Sequence, residues 1–179
     1  MTVATNFLEL EFNKLSFKAD PLGLDPIPED TRQRFLRFQL LEGYKTFLSL
    51  QSILEIRHLS TSSILSIPDI STPMLGVCNW RSEILWLADL NALVGNIPLW
   101  HMHPLLEQAT VIIVEFNQIK IGLVVEQVDD IDLLEPQDIQ QQDWCPSELT
   151  PYVAGCLTNP EGVILDAAAI VEHLLQKRT

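Results

Sequence analysis

The sequence predicts a mainly β protein of the barrel or sandwich kind, built as two similar lobes. Three observations lead there. About ten short segments have the alternating or β-branched composition of strands, only two stretches read as helices, and two parts of the chain echo each other. With 179 residues, 47% of them apolar and 20% charged, the chain suits one compact domain or two small packed lobes and is too apolar for wholesale disorder.

Residues 1–31 stand apart. They hold six acids, two lysines and Pro21, Pro26 and Pro28, which remove backbone donors and push the preceding residue to extended geometry. The segment is read as an acidic, flexible extension, and residues 32–179 as the folded domain. Within the extension Leu8, Leu10 and Phe12 alternate with Glu9, Glu11 and Asn13, a pattern able to add a strand to a sheet edge. Leu36, Phe38 and Leu40 then alternate with Arg37 and Gln39, a half-buried strand, and Glu42-Gly43 turns the chain into a partner strand over 44–50. Further strands are expected at 53–59, 75–79, 84–87, 110–116, 119–125, 128–134, 153–157 and 163–165, with a tight turn at Asn117-Gln118.

A short helix is expected after Asp89, running through Leu90, Leu93 and Val94 to Gly95. The last helix has Asp166 as its N-cap and one stripe of Ile170, Val171, Leu174 and Leu175, ending in Lys177-Arg178 where cations suit the helix dipole. These helices close the two echoing stretches: residues 75–78 and 84–90 match 154–157 and 163–167, each with a hairpin-like pair upstream (44–50 with 53–56, 119–125 with 128–131). Each half is therefore expected to form one barrel. A lobe of about 60–70 residues is hard to stabilise alone, so the two should share a core.

Composition excludes several functions. A formal charge of -13 argues against nucleic acid, whose phosphates need Lys and Arg. No apolar run reaches the roughly 18–20 residues of a membrane span, and the opening residues lack the basic-then-apolar pattern of a secretory signal, so a cytoplasmic protein is expected. Three scattered cysteines make no disulfide framework; Cys78 and Cys156, at equivalent places after Gly76 and Gly155, read as small buried thiols and Cys145 as a loop thiol. His101 and His103 fall short of the three or four ligands usual for zinc. Asp129, Asp130, Asp132 and Glu135 lack the Gly and Glu positions of a calcium loop and read as an acidic surface. No catalytic, metal or cofactor site is assigned. Between Lys120 and Lys177 there are eleven acids and no Lys or Arg, a field that would steer a basic-rimmed partner over a range near ~10 Å at 0.1 M salt.

The stretch Gly76-Val77-Cys78-Asn79-Trp80-Arg81-Ser82-Glu83-Ile84-Leu85-Trp86-Leu87-Ala88-Asp89-Leu90 resembles the signature of the CheW-like adaptor family of bacterial chemotaxis, roughly Gly-Val-x-Asn-Leu-Arg-Gly-x-Ile-Leu-Pro-Val-x-Asp-Leu. Gly122-Leu123-Val124-Val125-Glu126-Gln127-Val128 resembles the family's Gly-Leu-x-Val-Asp-x-Val, and Ser52-Ile53-Leu54-Glu55-Ile56 resembles Lys-Val-Arg-Glu-Ile more weakly. Ser82 stands where the family has Gly, so that turn should differ in backbone angles or carry strain; Trp86 replaces a Pro, Glu126 an Asp and Leu54 a polar residue.

The resemblance implies two SH3-like five-stranded barrels, interleaved within residues 32–179, over a shared hydrophobic core with a C-terminal helix. It implies a non-enzymatic scaffold coupling the cytoplasmic tip of methyl-accepting chemoreceptors to a CheA-type histidine kinase, at membrane-associated arrays and without membrane insertion. The acidic extension and the divergent motifs would suit a paralogue that controls type IV pilus motility or phototaxis. An inhibitory or response-regulator-binding paralogue is the alternative, and a small metal- or thiol-dependent enzyme a distant one. Ile53, Glu55, Arg81, Val125, Glu126 and Val128 are carried over as partner-binding positions, with Gly76, Asn79, Asp89, Gly122, Gly155 and Asp166 as structural ones. For Ile53, Val125 and Val128 a core role is the competing reading. Arg81 is expected to hold carbonyls or a carboxylate across the lobes, in a partly buried network whose loss would cost on the order of 2–4 kcal/mol, with a solvated turn Arg as the competing reading.

Overall fold

The computed structural model describes residues 30–41, 44–70, 72–140, 147, 149–158 and 161–176. Among them run eleven strands and three α-helices: β1 (Gln33–Leu41), β2 (Tyr44–Ser49), β3 (Ile53–Ser60), β4 (Met74–Trp80), β5 (Glu83–Asp89), α1 (Leu90–Leu93), α2 (Leu99–Met102), β6 (Gln108–Phe116), β7 (Ile119–Val125), β8 (Val128–Leu134), β9 (Ile139–Gln140), β10 (Val153–Thr158), β11 (Glu161–Leu165) and α3 (Ala167–Gln176). Every expected strand and both expected helices are present within a few residues of their predicted bounds. The four-residue α2 and the two-residue β9 were not expected, being too short to display a period. The extension at 1–29, the Glu42-Gly43 turn, Cys145 and the Lys177-Arg178 end of the last helix lie outside the described residues.

The strands form two sheets, in the orders β8-β1-β2-β11-β10-β9 and β3-β6-β7-β5-β4. The fold class is as expected, mainly β with a C-terminal helix, although the first sheet has six strands through the short β9. The lobes, however, are not the two halves of the sequence. The echo pairs β4, β5 and α1 with β10, β11 and α3, and its equivalence is exact enough to repeat a backbone bond: Asp89 N–H donates to Pro73 O at 2.9 Å, and Asp166 N–H to Tyr152 O at 2.7 Å. Each half nevertheless gives its opening hairpin to the other sheet. β2 lies parallel to β11, and β7 lies parallel to β5. The expected hairpins of β2 with β3 and of β7 with β8 are therefore corrected: in each case the chain crosses from one sheet to the other. Local pattern sets where a strand begins and which face is apolar. It does not set which sheet edge the strand joins.

Three apolar clusters follow from this exchange. One fills the first sheet's interior with Phe35, Phe47, Leu157 and Ile164. Another fills the second sheet's interior and includes Trp80, Leu85, Leu87, Val111 and Ile113. The largest draws Leu36, Phe38, Leu48 and Val163 from one sheet and Ile112, Val114, Ile121 and Leu123 from the other, with Ile170 and Leu174 of α3. Side chains alternate along each strand, so Ile112 faces the shared layer while Val111 and Ile113 face a barrel interior. Both faces of β6 and β7 are thus covered, which is why they read as unbroken apolar runs.

Within the shared layer, Thr46 is fully buried and its hydroxyl has no hydrogen-bond partner. A buried unpaired hydroxyl costs on the order of 1–3 kcal/mol, and valine fills nearly the same volume. Thr46→Val should therefore raise stability by about 1 kcal/mol and the melting temperature by about 2–4 °C. A calorimetric scan that shows no rise would contradict this account.

Candidate partner-binding surface

β4 and β5 are joined by Arg81 and Ser82, at φ 49° and 66°. Two successive left-handed residues make the hairpin turn whose twist matches its strands. Ser82 occupies a position that favours glycine, so its departure from the family pattern is a residue held at positive φ. Asn117 and Gln118, at φ 50° and 66°, repeat this geometry in the expected turn between β6 and β7.

The β4–β5 turn places Trp80 inside the second barrel, 3% exposed, and Arg81 outside. A buried indole N–H needs an acceptor. It finds Glu55 Oε2 on β3 at 3.0 Å. Since β3 and β4 are the two ends of the sheet order, this bond crosses the seam where the sheet curls shut. The same Oε2 accepts from the Arg81 guanidinium at 3.0 Å, and that group lies 4.7 Å from the Trp80 ring centroid. Lys120 Nζ, 5.2 Å from the ring, is bonded to Glu83 Oε2 at 2.8 Å. The Trp80 hydrogen bond, with Arg81 and Arg57 as nearby cations, holds the Glu55 carboxyl below its ordinary range despite some desolvation.

The arrangement corrects two expectations for Arg81. Its partner Glu55 belongs to the same sheet, not to the other lobe. Its side chain is 68% exposed, so its contribution to stability falls to that of a surface pair, about 0–1 kcal/mol. An exposed guanidinium stacked on an indole and held by a carboxylate is well suited to contact.

The other predicted positions are dispersed. Ile53 and Val128 begin the equivalent edge strands β3 and β8, and both are half-buried against the shared layer. Val125 is 1% exposed and belongs to that layer, so the core reading holds for it. Glu126 is exposed and bonds His103 Nε2 at 3.1 Å. Asn79 is exposed on β4 opposite Ile84. Gly76, Gly122 and Gly155 each mark a close approach: a Cβ there would meet Leu65 O, Leu87 Cδ2 or Ile139 Cγ2 at 2.2, 2.6 and 2.7 Å. Asp166 Oδ1 caps α3 through Ala168 and Ala169 N–H at 2.8 and 3.4 Å.

Cys78 and Cys156 are both buried, but they are not equivalent. Two residues after Gly76 and Gly155 stand Cys78 and Leu157, each in a barrel interior. The acidic run on β8 is also less bare than its local sequence suggested, because Arg37 on β1 bonds Asp132 at 2.8 Å and lies 3.7 Å from Asp129. Among the described residues no three His, Cys, Asp or Glu side chains gather as metal ligands, and no helix is long and apolar enough to cross a membrane.

Sequence reasoning missed Trp80, Glu83 and Lys120 as members of the cluster, and missed the exposed aliphatics on β3, β5 and β8. Ile84 is 76% exposed, and Leu54, Ile56, Ile131 and Leu133 protrude from β3 and β8. An apolar residue next to a two-residue turn was the available signal for Ile84. The contacts across the seam had none.

A family model described as "CheW-like domain" matches residues 34–175. Among solved structures, the scaffolding protein TtCheW of Thermoanaerobacter tengcongensis is similar at a TM-score of 0.64 and 21% identity, over 76% of this chain and 90% of that one. No curated protein matches the chain.

Proposed function

Since this chain belongs to the CheW-like domain family, we propose that it is a non-enzymatic adaptor that couples chemoreceptor tips to a CheA-type histidine kinase in a cytoplasmic array. The observation that supports this most is the extent of the family match, which takes in both barrels and the shared layer. A scaffold of this kind acts by holding two partners at high effective concentration. Any influence on the kinase comes from favouring one of its conformations.

The contact surface in this reading is built on Glu55 and Arg81, with Ile53, Ile84, Val128 and Glu126 as further positions. An exposed Arg held by a carboxylate and stacked on a buried Trp forms a small anchor of the kind that transient interfaces use.

Arg81→Ala is the direct test. Its melting curve should shift by less than about 1 kcal/mol in stability, because the pair is exposed. Its affinity for receptor-tip or kinase fragments, measured by titration calorimetry, should fall about tenfold. Unchanged affinity for both fragments would remove Arg81 from the interface. Binding to receptor with none to kinase in the wild-type chain would favour the inhibitory paralogue instead.

A further inference from the structure

Where the open end of the first barrel meets β6 of the second, the chain forms an open cavity of about 460 Å³. That size falls within the range of small-molecule sites, and barrel mouths are a common place for them. Its walls include Phe35, Phe116 and Ile164, from both sheets. Two carboxylates also line it, Glu115 at the end of β6 and Asp166 at the start of α3, together with neutral polar groups such as Gln51. No Lys or Arg is among the described lining residues. None of the residues proposed above for partner contact lines this cavity.

We propose that this cavity takes an apolar cation, an ammonium or guanidinium group on a hydrocarbon stem. The hydrocarbon gains by leaving water against the aromatic and aliphatic walls. The cation is drawn by the two acidic residues, with no Lys or Arg among the described lining residues, and an anion of the same shape is disfavoured by both. Asp166 spends Oδ1 on capping α3, where the positive end of the helix offsets part of its charge, so Glu115 carries most of the preference. Because the walls come from both sheets, an occupant bridges the two barrels and stabilises their association.

Such a cation can come from a free amine or from a Lys or Arg side chain in a partner's segment. Titration of the full chain with phenethylamine and with acetyl-leucyl-arginyl-leucinamide, followed by amide NMR shifts of Phe35, Phe116 and Ala168, separates the two. Saturable binding tighter for the amine supports a free metabolite-sized ligand, and tighter for the peptide supports a partner's basic residue. Phenylpropionate, the anionic counterpart, should bind at least about tenfold more weakly than the amine. Glu115→Gln with Asp166→Asn should abolish that preference, and asparagine keeps the helix cap. If the double variant does not fold, Glu115→Gln alone should lower the preference at least about threefold. The proposal is overturned if neither cation saturates those resonances, if the anion binds as well as the amine, or if the preference survives in the folded variants.

Discussion

Replacing Gly76 by alanine is expected to remove about 3–5 kcal/mol of stability, the largest effect of any single methyl added to this chain. Two independent costs meet there. Gly76 has φ 140°, a backbone region that side chains rarely adopt, at about 1–3 kcal/mol. Its added Cβ would also lie 2.2 Å from Leu65 O and 2.9 Å from Leu65 C. Those are backbone atoms, so no rotamer change relieves the clash. Leu65 and Val77 exchange two backbone hydrogen bonds at 2.8 and 3.0 Å, and separating the strands to admit the methyl would break both. A domain of this size has about 5–15 kcal/mol in total, so a variant that is soluble at all should show a melting temperature lower by about 10 °C or more. Gly95→Ala is the matched comparison. It also has positive φ, 81°, but nothing lies within 4 Å of its Cβ, so it should cost only about 1 kcal/mol. Equal losses at the two sites would show that the close approach of Leu65 plays no part.

Gly76 also shows what the sequence could and could not convey. Its place in a motif marked it as structural, as did those of Gly122 and Gly155, but nothing local names the chain that passes above it. For Gly76 that chain is Leu65, and for Gly155 it is β9. The strands themselves were legible because alternation and β-branched runs depend on one segment at a time. The exchange of hairpins was not, because β2 and β7 carry the same pattern whichever sheet they join. The same limit applies at the candidate surface. The motif pointed to Arg81 and Glu55 separately, whereas their junction depends on barrel closure bringing β3 to β4. The depth of Arg81 was misjudged for a related reason. An Arg between a Trp and a buried strand reads as buried, yet the two-residue turn lifts it clear and leaves the Trp inside. Val125 illustrates the reverse, since its run is apolar because both of its faces are covered.

Asp89→Ala is expected to cost about 2–4 kcal/mol, although the residue lies outside the apolar clusters. Asp89 is 1% exposed, and its carboxylate serves two helices at once. Oδ1 accepts from Ala92 N–H at 3.1 Å and caps α1, while Oδ2 accepts from Leu99 N–H at 2.7 Å at the start of α2. Loss of the cap costs about 0.5–2 kcal/mol, and the Leu99 donor, left inside the protein without its acceptor, about 1–3 kcal/mol more. Burial raises the carboxyl's pKa, against the opposing pull of the Ala92 and Leu99 N–H groups. The native state therefore holds that proton more tightly than the unfolded chain does. Ionisation of Asp89 then subtracts from stability as pH rises through the folded pKa, and the alanine variant lacks this dependence. Asp89→Asn separates the two roles. Its amide offers one oxygen acceptor, so one backbone N–H faces an NH₂ donor, and the variant should lie between wild type and alanine. Amide hydrogen exchange should quicken most at Ala92 and Leu99, where the bonds are lost, and least in α3, whose equivalent cap Asp166 is untouched. Exchange that quickens evenly through both helices would mean that Asp89 acts only on global stability and does not tie α1 and α2 to the barrel.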